Sequence, residues 1–195
     1  MLFLFDIDGV VNKSPYFTEN YVSEFGTETR LFDDFFQKDF LPTLSNKSDL
    51  LEILPKHFVK WKWERNAEEF LEYWFKHDVK IDMELILLIR HYRRLGHKVG
   101  IASQQEKYRK IYLLNSCGLA DEFDSFYFSC DLGCLKSSNF FYYTIIQNEK
   151  QPIYFWDDTP EVIEKANHCG FQAFLYLDNQ KLKQQIDDII KHNEF

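Results

Sequence analysis

No apolar run among the 195 residues approaches the roughly 18 that a membrane span requires. The opening stretch from Met1 to Phe5 reaches a charge at Asp6, with no basic region or small-residue cleavage site around it. Neither a span nor a targeting segment is expected. Paired cysteines are lacking too: Cys117, Cys130, Cys134 and Cys169 form no CxxC. A chain of this length folds without disulfide staples, which points to reduced thiols in a cytoplasmic setting. Cys130 and Cys134 are one helical turn apart, but no second CxxC or HxxxH completes the four ligands of a structural zinc. All four read as small buried hydrophobes. Positive charge is also short, with 23 Lys and Arg against 31 Asp and Glu and a net charge of −8. Such a field repels phosphate backbones and anionic lipid, so no nucleic-acid or membrane partner is expected. A small anionic substrate would need local cations or a metal.

Core-forming material is abundant: 45% of the residues are hydrophobic and 18% aromatic, with 20 Phe and 11 Tyr. That composition excludes low-complexity disorder, and the length fits one domain carrying an insertion. Leu2 to Ile7 reads as a strand buried on both faces. From Lys13 to Lys80 the chain reads as helical and aromatic, punctuated by Pro15, Pro42 and Pro55. Leu31, Phe32, Phe35 and Phe36 recur at helical spacing, which predicts core positions, and Asn66 with Glu69 three residues on predicts a capped helix burying Ala67, Phe70, Leu71 and Trp74. A helix through Ile81, Leu85, Leu88 and Tyr92 should stop at Gly96. Strands near 98–102, 126–129, 153–156 and 171–177 then alternate with helices, the last of which runs through Leu182 and Ile186 toward Phe195. The prediction is an α/β fold, a Rossmann-like parallel sheet wrapped by helices, with an inserted helical cap.

In open parallel sheets the ligand site lies beyond the carboxyl ends of the strands, where strand order reverses. Polar residues stand at those ends: Asp6 and Asp8 after the first strand, Ser103 after the second, and Asp157 with Asp158 after the fourth, while Lys136 follows the third. Each alone has a plain reading. Ser103 could cap a strand end, Lys136 could be a solvated surface lysine, and Asp157-Asp158 could face the dipole of the next helix, which Thr159 would cap. A DxDG also occurs in calcium loops, but this one follows an apolar strand and lacks an EF-hand's later acidic positions. Their order along the chain favours a shared site. Converging carboxylates repel unless a cation neutralises them, and hard oxygen donors suit magnesium. Ser103 with the Gln104 backbone N–H can bind phosphoryl oxygens, Lys136 can neutralise charge, and Gly9 lets backbone approach the ligand.

FDIDGV (residues 5–10), IASQ (101–104), LGCLK (132–136) and YFWDD (154–158) together resemble the four signatures of the haloacid dehalogenase superfamily, and the resemblance spans nearly the whole chain. The stretch GLADEFDSFYFSCDLGCLK is most similar to the branch holding sugar-phosphate phosphatases and the phosphatase domain of epoxide hydrolases. The resemblance implies a core of residues 1–12 and 81–195, with a cap at 13–80 hinged near 11–14 and 78–82. It makes Asp6 the phosphoryl-accepting nucleophile and Asp8 the general acid and base. Ser103, Gln104 and Lys136 become phosphate-binding. The metal set is Asp6, the Asp8 backbone carbonyl, Asp157 and Asp158, for Mg2+. The implied activity is hydrolysis of a small soluble phosphometabolite, a sugar phosphate or nucleotide, by a monomer or weak homodimer. A phosphomutase needs the same residues, and a non-catalytic phosphate-binding regulator is the other alternative. Ser137 stands where the family usually has proline, and Val162 where it commonly has Asn or Asp. Lys60, His57, Trp61 and Trp63 are the candidates for substrate selection by the cap.

Overall fold

The computed structural model describes residues 1–14 and 17–193. Pro15 and the last two residues of the expected C-terminal helix, Glu194 and Phe195, lie outside the described residues. Five strands form one sheet: β1 (Leu2–Phe5), β2 (Lys98–Ser103), β3 (Ser125–Phe128), β4 (Ile153–Asp157) and β5 (Gln172–Leu175). Their order is β3-β2-β1-β4-β5, and every pairing is parallel. Alternation along β1 explains why it is central. Phe3 and Phe5 enter the core on one face with Tyr92, Val99 and Trp156, while Leu2 and Leu4 enter the core on the other with Phe141, Ile145 and Phe155. All four β1 side chains are fully buried.

Local signals set the helices flanking the sheet. Asp82 caps Met83–Arg94 by accepting from the Glu84 and Leu85 N–H groups, and Gly96 follows at φ +88°. Ile81, expected inside that helix, instead forms an antiparallel bridge with Asn12. The helix expected at Tyr108 to Asn115 is α-helical over Lys107–Ile111 and continues as a π-helical turn, Tyr112–Ser116. The last helix runs from Asn179 to Asn193. No helix among the described residues is long and apolar enough to cross a membrane.

Residues 17–77 build a second aromatic core around Phe17, Tyr21, Phe32, Phe35, Trp61, Phe70 and Trp74. Its helix Ala67–His77 carries a complete capping box, with Asn66 Oδ1 accepting from the Glu69 N–H at 2.8 Å and Glu69 Oε2 accepting from the Asn66 N–H at 3.4 Å. The expected helix around Leu31 to Phe36 is a short α-helix, Arg30–Asp34, passing into a π-helical turn, Phe35–Asp39. Two connections join this module to the sheet, and they run side by side. Lys13 N–H donates to Lys80 O at 2.9 Å, Asp82 N–H to Val11 O at 2.9 Å, and Lys80 N–H to Asn12 Oδ1 at 2.7 Å.

Candidate active site

β1 and β4 are neighbours that end at the point where the strand order reverses, and each delivers carboxylates there. One carboxylate oxygen from each of Asp6, Asp157 and Asp158 lies within 4.8 Å of the others. Asp6 and Asp157 are buried, whereas Asp158 is exposed toward the crevice. Lys136, 6% exposed, holds its ammonium 2.6 Å from Asp6 Oδ1 and 2.6 Å from Asp157 Oδ2. Lys136 is thus paired with two of the three carboxylates. Burial pushes the Asp6 carboxyl up to about 7; Lys136 pulls against that shift and Asp157 adds to it. Apart from the Lys136 ion pair, Asp6 Oδ1 is buried without a hydrogen bond. Clustered hard oxygen donors with more negative charge than the Lys136 ammonium neutralises fit a small divalent cation such as magnesium.

Backbone geometry fixes this cluster. Gly9 has φ +79°, and a Cβ built there would stand 1.8 Å from Asp158 Oδ2, so only glycine permits the approach of the β1 loop to that carboxylate. Asp157 Oδ1 accepts from the Thr159 N–H at 2.9 Å, which turns the chain into the helix Pro160–His168. Thr159 occupies the N-cap position as expected, but its side chain makes no capping bond; the hydroxyl donates instead to Asp158 Oδ1 at 3.3 Å.

Asp8 stands apart from the carboxylate cluster. Its side chain is half exposed and is gripped by Arg109, whose Nη1 and Nη2 lie 2.8 Å from Oδ2 and Oδ1. Asn12 and Gln105 donate to it as well, at 3.1 and 2.7 Å. Burial opposes the charge, but the guanidinium beside it holds the Asp8 carboxyl down to about 2. Arg109 also meets Asp78 Oδ2 at 3.0 Å, so one buried cation ties the loop after β1 to the second connection of the aromatic module. Burial pushes the Asp78 carboxyl up to about 6 against the pull of that cation. Arg109 and Gln105 are missing from the sequence reading. Lys107, Arg109 and Lys110 look equivalent there, and the one signal is that Gln105, just before the Glu106 cap, stands four residues from Arg109 in the first turn of the helix.

Ser103 is 1% exposed, and its Oγ accepts from Gln105 Nε2 at 3.2 Å. Gln104 Oε1 accepts from the Lys136 N–H at 3.3 Å. All the expected site residues except Asp157 line one cavity of about 1080 Å³, closed on its far side by Phe17, Phe32, Phe36, Phe40, Leu44 and Trp74. Phe36, expected in the core, is half-buried and faces this cavity. The residues expected to select substrate do not line it. Trp61 and Trp63 are buried in the second core, their indole N–H groups donating to Leu31 O at 3.1 Å and Asn66 O at 3.0 Å. His57 pairs with Asp39 at 3.0 Å, and Lys60 is exposed on the outer surface.

No family model and no curated protein matches the sequence. Solved structures do. A predicted HAD-like family hydrolase from Porphyromonas gingivalis matches at TM-score 0.79 and 16% identity, over 97% of each chain. An HAD family enzyme from Bacteroides thetaiotaomicron, solved in complex with magnesium and inorganic phosphate, matches at TM-score 0.75 and 15% identity, over 91% of this chain and 94% of that one. The chain has the fold of the haloacid dehalogenase superfamily. An L-2-haloacid dehalogenase from Xanthobacter autotrophicus, with chloropropionic acid covalently bound, shares that fold at TM-score 0.66 and 12% identity, over 96% of this chain and 82% of that one. In this haloacid dehalogenase fold the carboxylate cluster sits at the carboxyl edge of the sheet and the aromatic module closes over it.

Proposed function

We propose that this chain is a cytoplasmic, magnesium-dependent phosphomonoester hydrolase of the haloacid dehalogenase superfamily, working through an aspartyl phosphate on Asp6. The observation that carries the reading is the convergence of Asp6, Asp157 and Asp158 within 4.8 Å beside the buried Lys136 ammonium, with all but Asp157 lining a cavity large enough for a small metabolite. Three carboxylates need a cation, and a phosphoryl group is the substrate that makes use of one. Halide departure needs neither a metal nor a proton donor, so the acidic cluster and Asp8 favour a phosphatase over a dehalogenase. The cap is residues 13–80, and the core is residues 1–12 and 81–195.

Asp6, Asp157 and Asp158, with the Asp8 backbone carbonyl, are the metal ligands in this reading. Magnesium bound there supplies positive charge to the phosphoryl oxygens and lowers the repulsion between them and the carboxylates. Ser103, the Gln104 N–H and Lys136 position and neutralise the phosphate. The Asp6 carboxylate attacks phosphorus in line; the ester P–O bond breaks on the opposite side, and the leaving oxygen takes a proton from Asp8. Water then attacks the aspartyl phosphate and gives its proton to the Asp8 carboxylate; the Asp6–phosphorus bond breaks and inorganic phosphate leaves. On Arg109, Asp8 is ionised and set for the second step. Its acid role in the first step requires it to leave the guanidinium and carry a proton.

The test is release of inorganic phosphate from 4-nitrophenyl phosphate and a panel of phosphometabolites, with magnesium and with chelator. Turnover that requires magnesium and disappears in Asp6→Asn is the expected result. Turnover unaffected by chelator removes the metal, and turnover surviving in Asp6→Asn removes the nucleophile.

A further inference from the structure

The walls of the cavity differ in chemistry. Its floor is ionic, but the cap side is built from rings in mutual contact: Trp74 has its centroid 4.8 Å from Phe17, 5.6 Å from Phe36 and 5.5 Å from Phe40, and Phe36 lies 5.5 Å from Phe40. Phe17 and Trp74 are buried behind, at 2% and 3% exposure, while Phe36 and Phe40 remain half-buried and present ring surface to the cavity. Phe36 is the second residue of the π-helical segment and Phe40 its C-cap, whose N–H reaches back to Phe35 O at 2.8 Å. Turns of this kind are uncommon and concentrate at functional sites. Here the turn leaves Phe35 fully buried against Trp61 while its neighbour Phe36 faces inward.

The polar groups on that side are short or already partnered. Among the described residues, the cap contributes no Asn, Gln, Arg or His to the cavity lining; its polar lining groups are Lys13, Ser14, Thr18, Thr29, Asp33 and Asp78. Lys13 donates to Gly9 O, Ser14 Oγ to His77 O at 3.4 Å, and Asp78 is paired with Arg109. Thr18, Thr29 and Asp33 can meet a hydroxyl at the margin of the rings, but hydroxyls laid on the Phe36 and Phe40 faces themselves would lose their water without replacement partners.

We propose that the phosphate ester accepted here carries a planar aromatic ring, which packs against Phe36 and Phe40 while its phosphate lies on the Asp6 and Lys136 floor. This rests on the phosphatase reading and narrows its substrate class from phosphometabolites at large to aromatic ones. The ring can be borne directly on a short alcohol or through the ribose of a nucleotide; the recognition chemistry is the same in both.

Binding and turnover test it separately. Benzylphosphonate, which cannot be hydrolysed, should bind the magnesium-loaded protein roughly tenfold or more tighter than methylphosphonate and perturb tryptophan fluorescence through Trp74. In turnover, adenosine 5′-monophosphate against ribose 5-phosphate, and benzyl phosphate against glucose 6-phosphate, form matched pairs that differ in the ring. At least one ring-bearing member should lead its partner by about tenfold in kcat/KM, and Phe36→Ala and Phe40→Ala should each shrink that lead through KM. Which pair shows the lead tells a nucleotide from a simple aryl ester. Equal binding of the two phosphonates overturns the inference, as does a ring preference that persists undiminished in both variants. If the sugar phosphates match or exceed the ring esters, the inference fails while the phosphatase reading stands. If nothing is hydrolysed, acetyl phosphate included, the phosphatase reading fails, and the phosphonate pair still decides whether the cavity selects a ring.

Discussion

Replacing Gly9 by alanine separates the metal site from the fold. A Cβ at this position would stand 1.8 Å from Asp158 Oδ2 and 2.4 Å from its Cγ, where real contacts of this kind stay beyond 3.0 Å. Asp158 must therefore retreat by more than 1 Å (3.0 − 1.8 = 1.2 Å). Magnesium holds its ligands near 2.0–2.1 Å in a nearly ideal octahedron, so a retreat of that size removes a ligand. An affinity loss of about 10- to 100-fold is expected, the scale seen when a metal ligand loses its support. Alanine at φ +79° also costs about 1–2 kcal/mol of backbone strain, roughly 2–8 °C in melting temperature for a chain of this size. Gly118→Ala supplies the control, since its φ is +74° and a Cβ there meets nothing within 4 Å. In chelator the two variants should melt at similar temperatures, below the wild type. With magnesium, the wild type and Gly118→Ala should both gain stability and Gly9→Ala should gain little. Isothermal titration gives the affinities directly. Wild-type magnesium affinity in Gly9→Ala would refute the placement of Asp158 as a metal ligand.

Arg109→Met leaves Asp8 and Asp78 without their shared cation. Removing one partner of a buried pair costs about 3–5 kcal/mol, and the half-exposed Asp8 brings the expected value to about 3 kcal/mol at pH 8 by urea unfolding. Asp78 is already raised to about 6 by burial and rises further without Arg109, so the cost should shrink at pH 5, where that carboxyl is neutral; a pH-independent loss, or one under about 1 kcal/mol at pH 8, would contradict this. In chelator the Asp6 carboxyl, at about 7 in the fold against about 3.9 unfolded, takes up a proton on folding between pH 4 and 7. Its contribution to stability is therefore largest at low pH and is lost as pH rises toward 7. Thermal melts should show Asp6→Asn flattening that slope, and an unchanged slope would show that Asp6 is not the group responsible.

The sheet was legible because its strands are short apolar runs bounded by turn residues, and because polar groups recur at their carboxyl ends. Asp6, Ser103, Lys136, Asp157 and Asp158 all sit where a parallel sheet gathers its strand ends, so their positions follow once the strands are placed. What escaped is decided by packing across elements. Lys107, Arg109 and Lys110 lie on one short helix, and Arg109 turns inward because Asp8 and Asp78 converge on it from residues far away in the chain. Trp61 and Trp63 looked available for substrate, yet their indoles fill the cap core and find backbone carbonyls there. Phe36 looked like a core residue by spacing; it packs against the edge of the second core, and beside the π-helical turn its ring, with that of Phe40, also lines the cavity.

The most direct test of the central claim is to look for the phosphoryl group on Asp6 itself. Asp8→Asn keeps the nucleophile and removes the base that activates water, so hydrolysis of the aspartyl phosphate should slow by the roughly 10²- to 10⁴-fold typical of general acid–base catalysis. 4-Nitrophenolate leaves without a proton, so the first step should continue and phosphoenzyme should accumulate. Rapid acid quench of this variant with 4-nitrophenyl phosphate and magnesium, followed by intact-mass and peptide analysis, should find one added phosphoryl group on the peptide containing Asp6 and none in the Asp6→Asn, Asp8→Asn double variant. Turnover with no adduct, or an adduct on any other residue, would contradict the account.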